Sequence, residues 1–210
     1  MRALALKEHG EREMKATIRV SEAVLQVSAR LEALLGRDKS VVVVTGYDDF
    51  DGASEVAAQI AVALARLSEA PVALVDANRD FPQIHEWMDL PNSPGFGDVL
   101  SGKIDEFAVL QNTPGGVTVI SAGDAGSVLA APGAGRFFDK LKARHRYVII
   151  AAAPVLEASD TVTLCSLSDG AVLALRSGLR HVPEIKDVQK ELARLNTQLF
   201  GAVIRGGKSE

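Results

Sequence analysis

Six short apolar runs recur along this chain: VVVVT from residue 41, PVALVDA from 71, VTVIS from 117, YVIIAAA from 147, GAVLAL from 170 and FGAVI from 200. Each is nearly continuous in apolar residues rather than alternating, as expected for strands buried on both faces in a parallel sheet. Helical patterns separate them over 53–68, 134–145, 158–167 and 179–195. Another precedes them, where Val24, Leu25, Val27, Leu31 and Leu34 recur at helical spacing between an N-capping Ser21 and Gly36. Strands alternating with helices, joined by right-handed crossovers, predict a doubly wound α/β fold, a mostly parallel sheet between two helical layers. The 210 residues, 47% of them apolar, suffice for one such domain. We expect a flexible arm over 1–18, the domain over 19–205 and a short tail over 206–210.

Composition excludes several classes. No apolar run approaches the roughly 18 residues of a membrane span. The opening MRALALKEHGER turns charged too soon for a secretory signal. The single cysteine, Cys165, reads as a reduced core residue of a cytoplasmic protein. A net charge of −4 without a basic stripe argues against nucleic acid as a partner.

The most informative local segment joins the first strand to its helix: TGYDDFDGAS, followed by EVAAQIAVALARL. Strand, tight loop and helix form the setting of a P-loop, G-x-x-x-x-G-K-[ST], whose lysine neutralises phosphate and whose hydroxyl holds magnesium. In the loop opened by Gly46, Gly52 and Ser54 stand at the motif's spacing, but Ala53 occupies the lysine position. Asp48, Asp49 and Asp51 crowd the turn where an anion would sit. Two like charges about 4 Å apart near a surface repel by roughly 4 kcal/mol. The architecture therefore persists without its phosphate chemistry. Ser54 either meets phosphate weakly or caps the helix, and capping is the expected role.

Other constellations are weaker. A calcium loop built on Asp49 and Asp51 would need acids where Tyr47 and Ala58 stand. His9, His85, His145 and His181 are scattered without ligand spacing, so no metal site is expected. Trp87, in IHEWMDL, reads as a packing residue on a short amphipathic helix. Arg176, Arg180, Lys186 and Lys190 read as a solvated face.

With these elements placed, residues 20 to 205 resemble the cytoplasmic domain of bacterial tyrosine kinases (BY-kinases) of capsule and exopolysaccharide assembly. DANRDFPQIH, from Asp76 to His85, is similar to the family's second Walker motif, D-A-D-L-R-R-P-x-L-H. PGFGDVLSG at 94–102, SAGDAG from 121 and PVLEASD at 154–160 resemble three further family segments in the same order. The resemblance implies a P-loop NTPase-like αβα sandwich.

The departures fall on the chemistry. Where the family's first motif ends in glycine, acid, glycine, lysine and serine or threonine, this chain has Phe50, Asp51, Gly52, Ala53 and Ser54, the ring of Phe50 filling space a phosphate would need. Asn78 replaces the second acid of the middle motif, and Asp80 and Phe81 its arginines. The magnesium-organising aspartate of the third motif is Ala151, in the run Ala151-Ala152-Ala153-Pro154. Arg205 stands where the family has an asparagine near the base. The ring-forming E-x-x-R-x-x-R aligns with Glu22, Leu25 and Ser28, so no homo-octameric ring is expected. The family's tyrosine-rich tail is replaced by GGKSE, leaving only Tyr47 and Tyr147.

These substitutions predict a catalytically inactive relative with a vestigial nucleotide loop, Gly46, Gly52, Ala53, Ser54, Asp76 and Ala151. No catalytic residue, cofactor or metal is expected. The resemblance implies a docking or regulatory role in exopolysaccharide or capsule biosynthesis and export. It implies as partner the cytoplasmic tail of an inner-membrane polysaccharide co-polymerase, which would recruit a cytoplasmic protein to that membrane. The alternative is a divergent tyrosine kinase or ATPase that binds ATP and magnesium weakly through Asp76 and Ser54. A ParA- or MinD-like ATPase shares the architecture, but Asp48 stands where that group carries its signature lysine.

Overall fold

The computed structural model describes residues 18–36, 38–124, 133–177 and 182–206, without the side chains of Phe50, Val182 and Glu184. The arm and tail expected at the two ends lie almost wholly outside these residues, as does the expected role of the Phe50 ring. Helices α1 (Glu22–Leu35), α2 (Ala53–Ser68), α3 (Ile84–Trp87), α4 (Phe96–Leu100), α5 (Gly133–Arg144), α6 (Ser159–Ser166) and α7 (Val182–Arg194) alternate with seven strands. The strands are β1 (Ser40–Thr45), β2 (Val72–Asp76), β3 (Gln111–Asn112), β4 (Val117–Ile120), β5 (Tyr147–Ala151), β6 (Gly170–Arg176) and β7 (Leu199–Arg205). They form one sheet in the order β3-β4-β2-β5-β1-β6-β7, parallel except for β3.

The sheet's two faces explain the continuous apolar runs. Successive side chains of a strand point to opposite faces. Val42 and Val44 therefore join a core with Leu74, Ile149 and Val172 under α1 and α2, while Val41 and Val43 join Val75, Ile150 and Leu173 under α5, α6 and α7. Phe96, Phe137 and Phe138 pack ring to ring within the second core. The α/β sandwich expected from the sequence is the observed fold.

Local signals account for several boundaries. Ser21 caps α1, its hydroxyl accepting from the Val24 N–H. Cys165 is buried, and burial pushes its thiol up to about 12, so it packs as an unreactive core residue. The exposed Asp169, just before β6, ties the start of β1: its carboxylate accepts from the Val41 N–H at 2.7 Å. Two elements escape sequence patterning: β3, two residues long and too short to show a period, and α4, a helix of five residues. α4 is held from outside. The Phe96 and Gly97 N–H groups donate to the carbonyls of Ser121 and Ala122. The Asp98 carboxylate accepts from Gly95 and Asp124. Burial alone would raise that carboxyl, but those N–H groups and the Lys103 ammonium hold it below its ordinary value. The segments PGFGDVLSG and SAGDAG thus clasp one another, so their joint occurrence has a structural cause.

Candidate functional site

The strands β1, β2 and β5 deliver their C-terminal loops to one end of the sheet, where ligands of open α/β folds bind. After Thr45 the chain makes a single 3-10 turn, Asp49–Asp51, and enters α2 at Ala53. Gly52 is the N-cap, at φ 72° and ψ 40°, a left-handed conformation that disfavours a side chain. A Cβ there would also stand 1.8 Å from the Arg205 guanidinium. Ser54 is buried as the second helical residue. The capping role expected of Ser54 is therefore corrected: the cap is Gly52, which offers no side chain.

The three loop carboxylates have separate fates, which corrects the picture of a uniformly acidic turn. Asp51 is fully buried and points inward. Its Oδ2 accepts the N–H groups of Tyr47 at 2.7 Å and Asp48 at 3.1 Å, and its Oδ1 that of Arg176 at 2.8 Å. It ties the loop to β6. Asp48 pairs with the Arg176 guanidinium at 3.5 Å. Arg176 is thus part of the loop's frame rather than a purely solvated face. Asp49 is exposed, and its carboxyl is raised by partial burial and by the charges of Asp48 and Asp80. Arg205 donates to the Asp51 carbonyl at 3.3 Å and forms an ion pair with Glu55.

Asp76 ends β2 with no exposure. Its Oδ1 accepts from Asn78 and its Oδ2 from Gln83 and Ile84, all between 3.0 and 3.1 Å. Burial pushes its carboxyl up to about 6, the hydrogen bonds and His85 opposing that. Asp76 therefore organises the loop into α3. After Ala151, the Ala153 carbonyl accepts the hydroxyls of Thr45 and Thr161 at 2.7 and 2.9 Å, joining the β1 and β5 loops.

Two adjacent hollows open among these loops. One, about 170 Å³, is lined by Gly46, Asp48, Asp49, Gly52, Ala53, Ser54, Asn78, Phe81, Gln83, Ala152 and Pro154. The other, about 280 Å³, shares Asp49 and Pro154 and adds Ala77, Arg79, Asp80, Ala153, Glu157, Ala158, Ser159 and Asp160. The structure thus gathers Gly46, Gly52, Ala53 and Ser54 around the smaller hollow. It places Asp76 and Ala151 behind that lining, both fully buried. Among the described residues no lysine or arginine lines the smaller hollow, and Asp48 and Asp49 do. Among the described residues, this lining supplies no cationic side chain for the phosphates of an ATP–magnesium complex.

The remaining candidates are structural. Trp87 packs partly buried against the first core. His145 is buried with Nδ1 3.0 Å from the Leu141 carbonyl and Nε2 3.1 Å from the Thr118 hydroxyl. Burial first, then the neighbouring Arg144, lowers its pKa. Among the described residues no group of three His, Cys, Asp or Glu is disposed to hold a metal ion. Sequence reasoning missed Glu157 and Asp160 as parts of the cleft. Their signal was the run PVLEASD, read only as a family segment.

The parallel sheet order and the loop-to-helix geometry after β1 define a P-loop NTPase-like α/β protein. The proteins it is similar to include bacterial tyrosine kinases. The chain is 27% identical over 194 residues to the tyrosine-protein kinase YwqD of Bacillus subtilis, covering 90% of this chain and 81% of that protein. It is 27% identical over 176 residues to the putative tyrosine-protein kinase EpsB of Ralstonia nicotianae, covering 81% of this chain but 23% of EpsB. Among solved structures, it superposes on the kinase domain of the Escherichia coli tyrosine kinase ETK with a TM-score of 0.81 at 23% identity, over 90% of this chain and 78% of that one. The BceF tyrosine kinase domain matches with a TM-score of 0.72 at 27% identity, over 86% and 73%. No family model matches the chain. Among the described residues no helix is long and apolar enough to cross a membrane.

Proposed function

We propose that this chain is a non-catalytic relative of the bacterial tyrosine kinases, a docking or regulatory module of exopolysaccharide or capsule biosynthesis and export. Its partner on this reading is the cytoplasmic tail of an inner-membrane polysaccharide co-polymerase, which recruits it to that membrane. One observation supports the loss of catalysis: the hollow above α2 is lined by two aspartates and by Ala53, with no cation among the described residues of its walls. The two arginines near the loop do not compensate. Arg176 is engaged with Asp48, and Arg205 with Glu55 and the Asp51 carbonyl. Phosphoryl transfer needs charge neutralisation on the transferred group, a held metal and an acceptor hydroxyl in line. Ala53 and Ala151 supply neither of the first two, and Tyr147 is fully buried within the sheet.

Titration of ATP–Mg²⁺ into the full chain by calorimetry tests the reading. No binding is expected up to about millimolar nucleotide, a free energy near −4 kcal/mol. Micromolar binding, or phosphotyrosine after incubation with labelled ATP, would overturn it in favour of a divergent kinase.

A further inference from the structure

The cleft that fails to fit phosphate has a chemistry of its own. Its larger hollow is walled by Asp49, Asp80, Glu157 and Asp160, with Arg79 the one cation among the described residues of the lining. Arg79 is engaged with Asp80 at 3.4 Å. The cleft is also framed by apolar surface. Phe81, which lines the smaller hollow, is 57% exposed, and Leu156, next to Glu157 in the turn after β5, is 41% exposed. Large apolar side chains held at the rim of a charged crevice cover poorly with water and well with a partner's apolar side chains.

We infer that this cleft docks a basic peptide segment of a partner protein, Lys or Arg side chains entering among Asp49, Asp80, Glu157 and Asp160 while apolar residues beside them cover Phe81 and Leu156. The inference rests on the docking function proposed above and names the chemistry of the segment that would be held. Charge complementarity selects this occupant. Four carboxylates against one guanidinium repel a nucleotide, a phosphopeptide or an acidic tail and attract a cation. The carboxylates are also poorly compensated as they stand. Partial burial and the charges of Asp48 and Asp80 raise Asp49. Burial raises Asp160, with Arg79 opposing and Asp80 adding to the effect. An arriving guanidinium or ammonium relieves that repulsion, and the planar guanidinium adds paired hydrogen bonds to a carboxylate.

The test uses the full chain, isotopically labelled, with two synthetic probes: acetyl-Leu-Arg-Leu-Arg-Leu-amide and the same peptide with Glu in place of Arg. The Arg peptide is expected to shift amide resonances of the loops after β1, β2 and β5. Its affinity should fall about tenfold on raising salt through the range in which surface charges become screened. The pair Asp80→Asn and Asp160→Asn should weaken it about tenfold, Phe81→Ser severalfold, and Asp139→Asn on α5 not at all, with thermal unfolding confirming that each variant folds. Equal binding of the Glu peptide, shifts elsewhere on the molecule, insensitivity to the cleft substitutions, or no binding would each overturn the inference. The ATP–Mg²⁺ titration separates the two claims. Failure of both ligands to bind defeats the peptide site and leaves the loss of catalysis standing, whereas tight ATP binding defeats the functional reading itself.

Discussion

At the scale of single residues, the site's acids divide by where their oxygens point. Asp51 satisfies three backbone N–H groups in a fully buried position. Leaving such donors unpaired costs about 1–3 kcal/mol each, reduced where water can enter. Asp51→Ala should therefore lower the unfolding free energy by roughly 3 kcal/mol, and Asp51→Asn, which keeps one acceptor, by about half of that. Urea unfolding measures both, and an Asp51→Ala loss under about 0.5 kcal/mol would show the bonds to be idle. Asp76 adds a pH dependence of definite sign. Its carboxyl titrates near 3.8 when unfolded and about 6 when native, so the native state holds the extra proton between those values. Its contribution to stability is full at low pH and is lost as pH rises through 6, by about 3 kcal/mol at most. The stability gap between the wild type and Asp76→Asn should accordingly narrow from about pH 4 to about pH 7.5, and a constant gap would refute the assignment. Residue identities were legible in the sequence, Ala53 and Ala151 above all. The inward turn of Asp51 was not, because three nearby aspartates have the same composition whichever one faces the backbone.

At the scale of elements, α2 begins where a strand-loop-helix pattern requires, and what fixes its start is a contact across the sheet. Gly52 takes a left-handed conformation, and Arg205, from the end of β7, lies against the space a Cβ would occupy. Gly52→Ala carries two costs: about 1 kcal/mol for the conformation, and displacement of a guanidinium paired with Glu55. Arg205→Ala removes the obstacle and the pair together. In a double-mutant cycle, Gly52→Ala should cost at least about 1 kcal/mol less in the Arg205→Ala background than in the wild type. Additive losses would show that the arginine moves aside freely. The periodic elements could be read from sequence because burial on one stripe or both faces writes itself as spacing. β3, α4 and the Arg205 contact could not, since each depends on a distant segment: β3 on β4, α4 on the turn at Ser121, and Arg205 on the loop after β1.

At the scale of the whole molecule, assembly through α1 depends on which of its side chains reach the surface. The positions aligned with ring-forming arginines lie three residues apart on α1, but they differ in burial. Leu25 is 40% exposed, whereas Ser28 is fully buried, its hydroxyl unpartnered. A charge at position 28 would have to enter the packing between α1 and α2, where an unpaired ion costs several kcal/mol. Position 28 therefore could not carry a surface charge without a change in how α1 packs. We expect light scattering near neutral pH to give no octamer of the 22.2 kDa chain, with a monomer or a dimer through another face consistent with this. Leu25→Arg should leave that state unchanged and the fold intact, while Ser28→Arg should destabilise the protein by about 3 kcal/mol or more. An octamer in the wild type, or one created by Leu25→Arg alone, would show that assembly does not need position 28 on the surface.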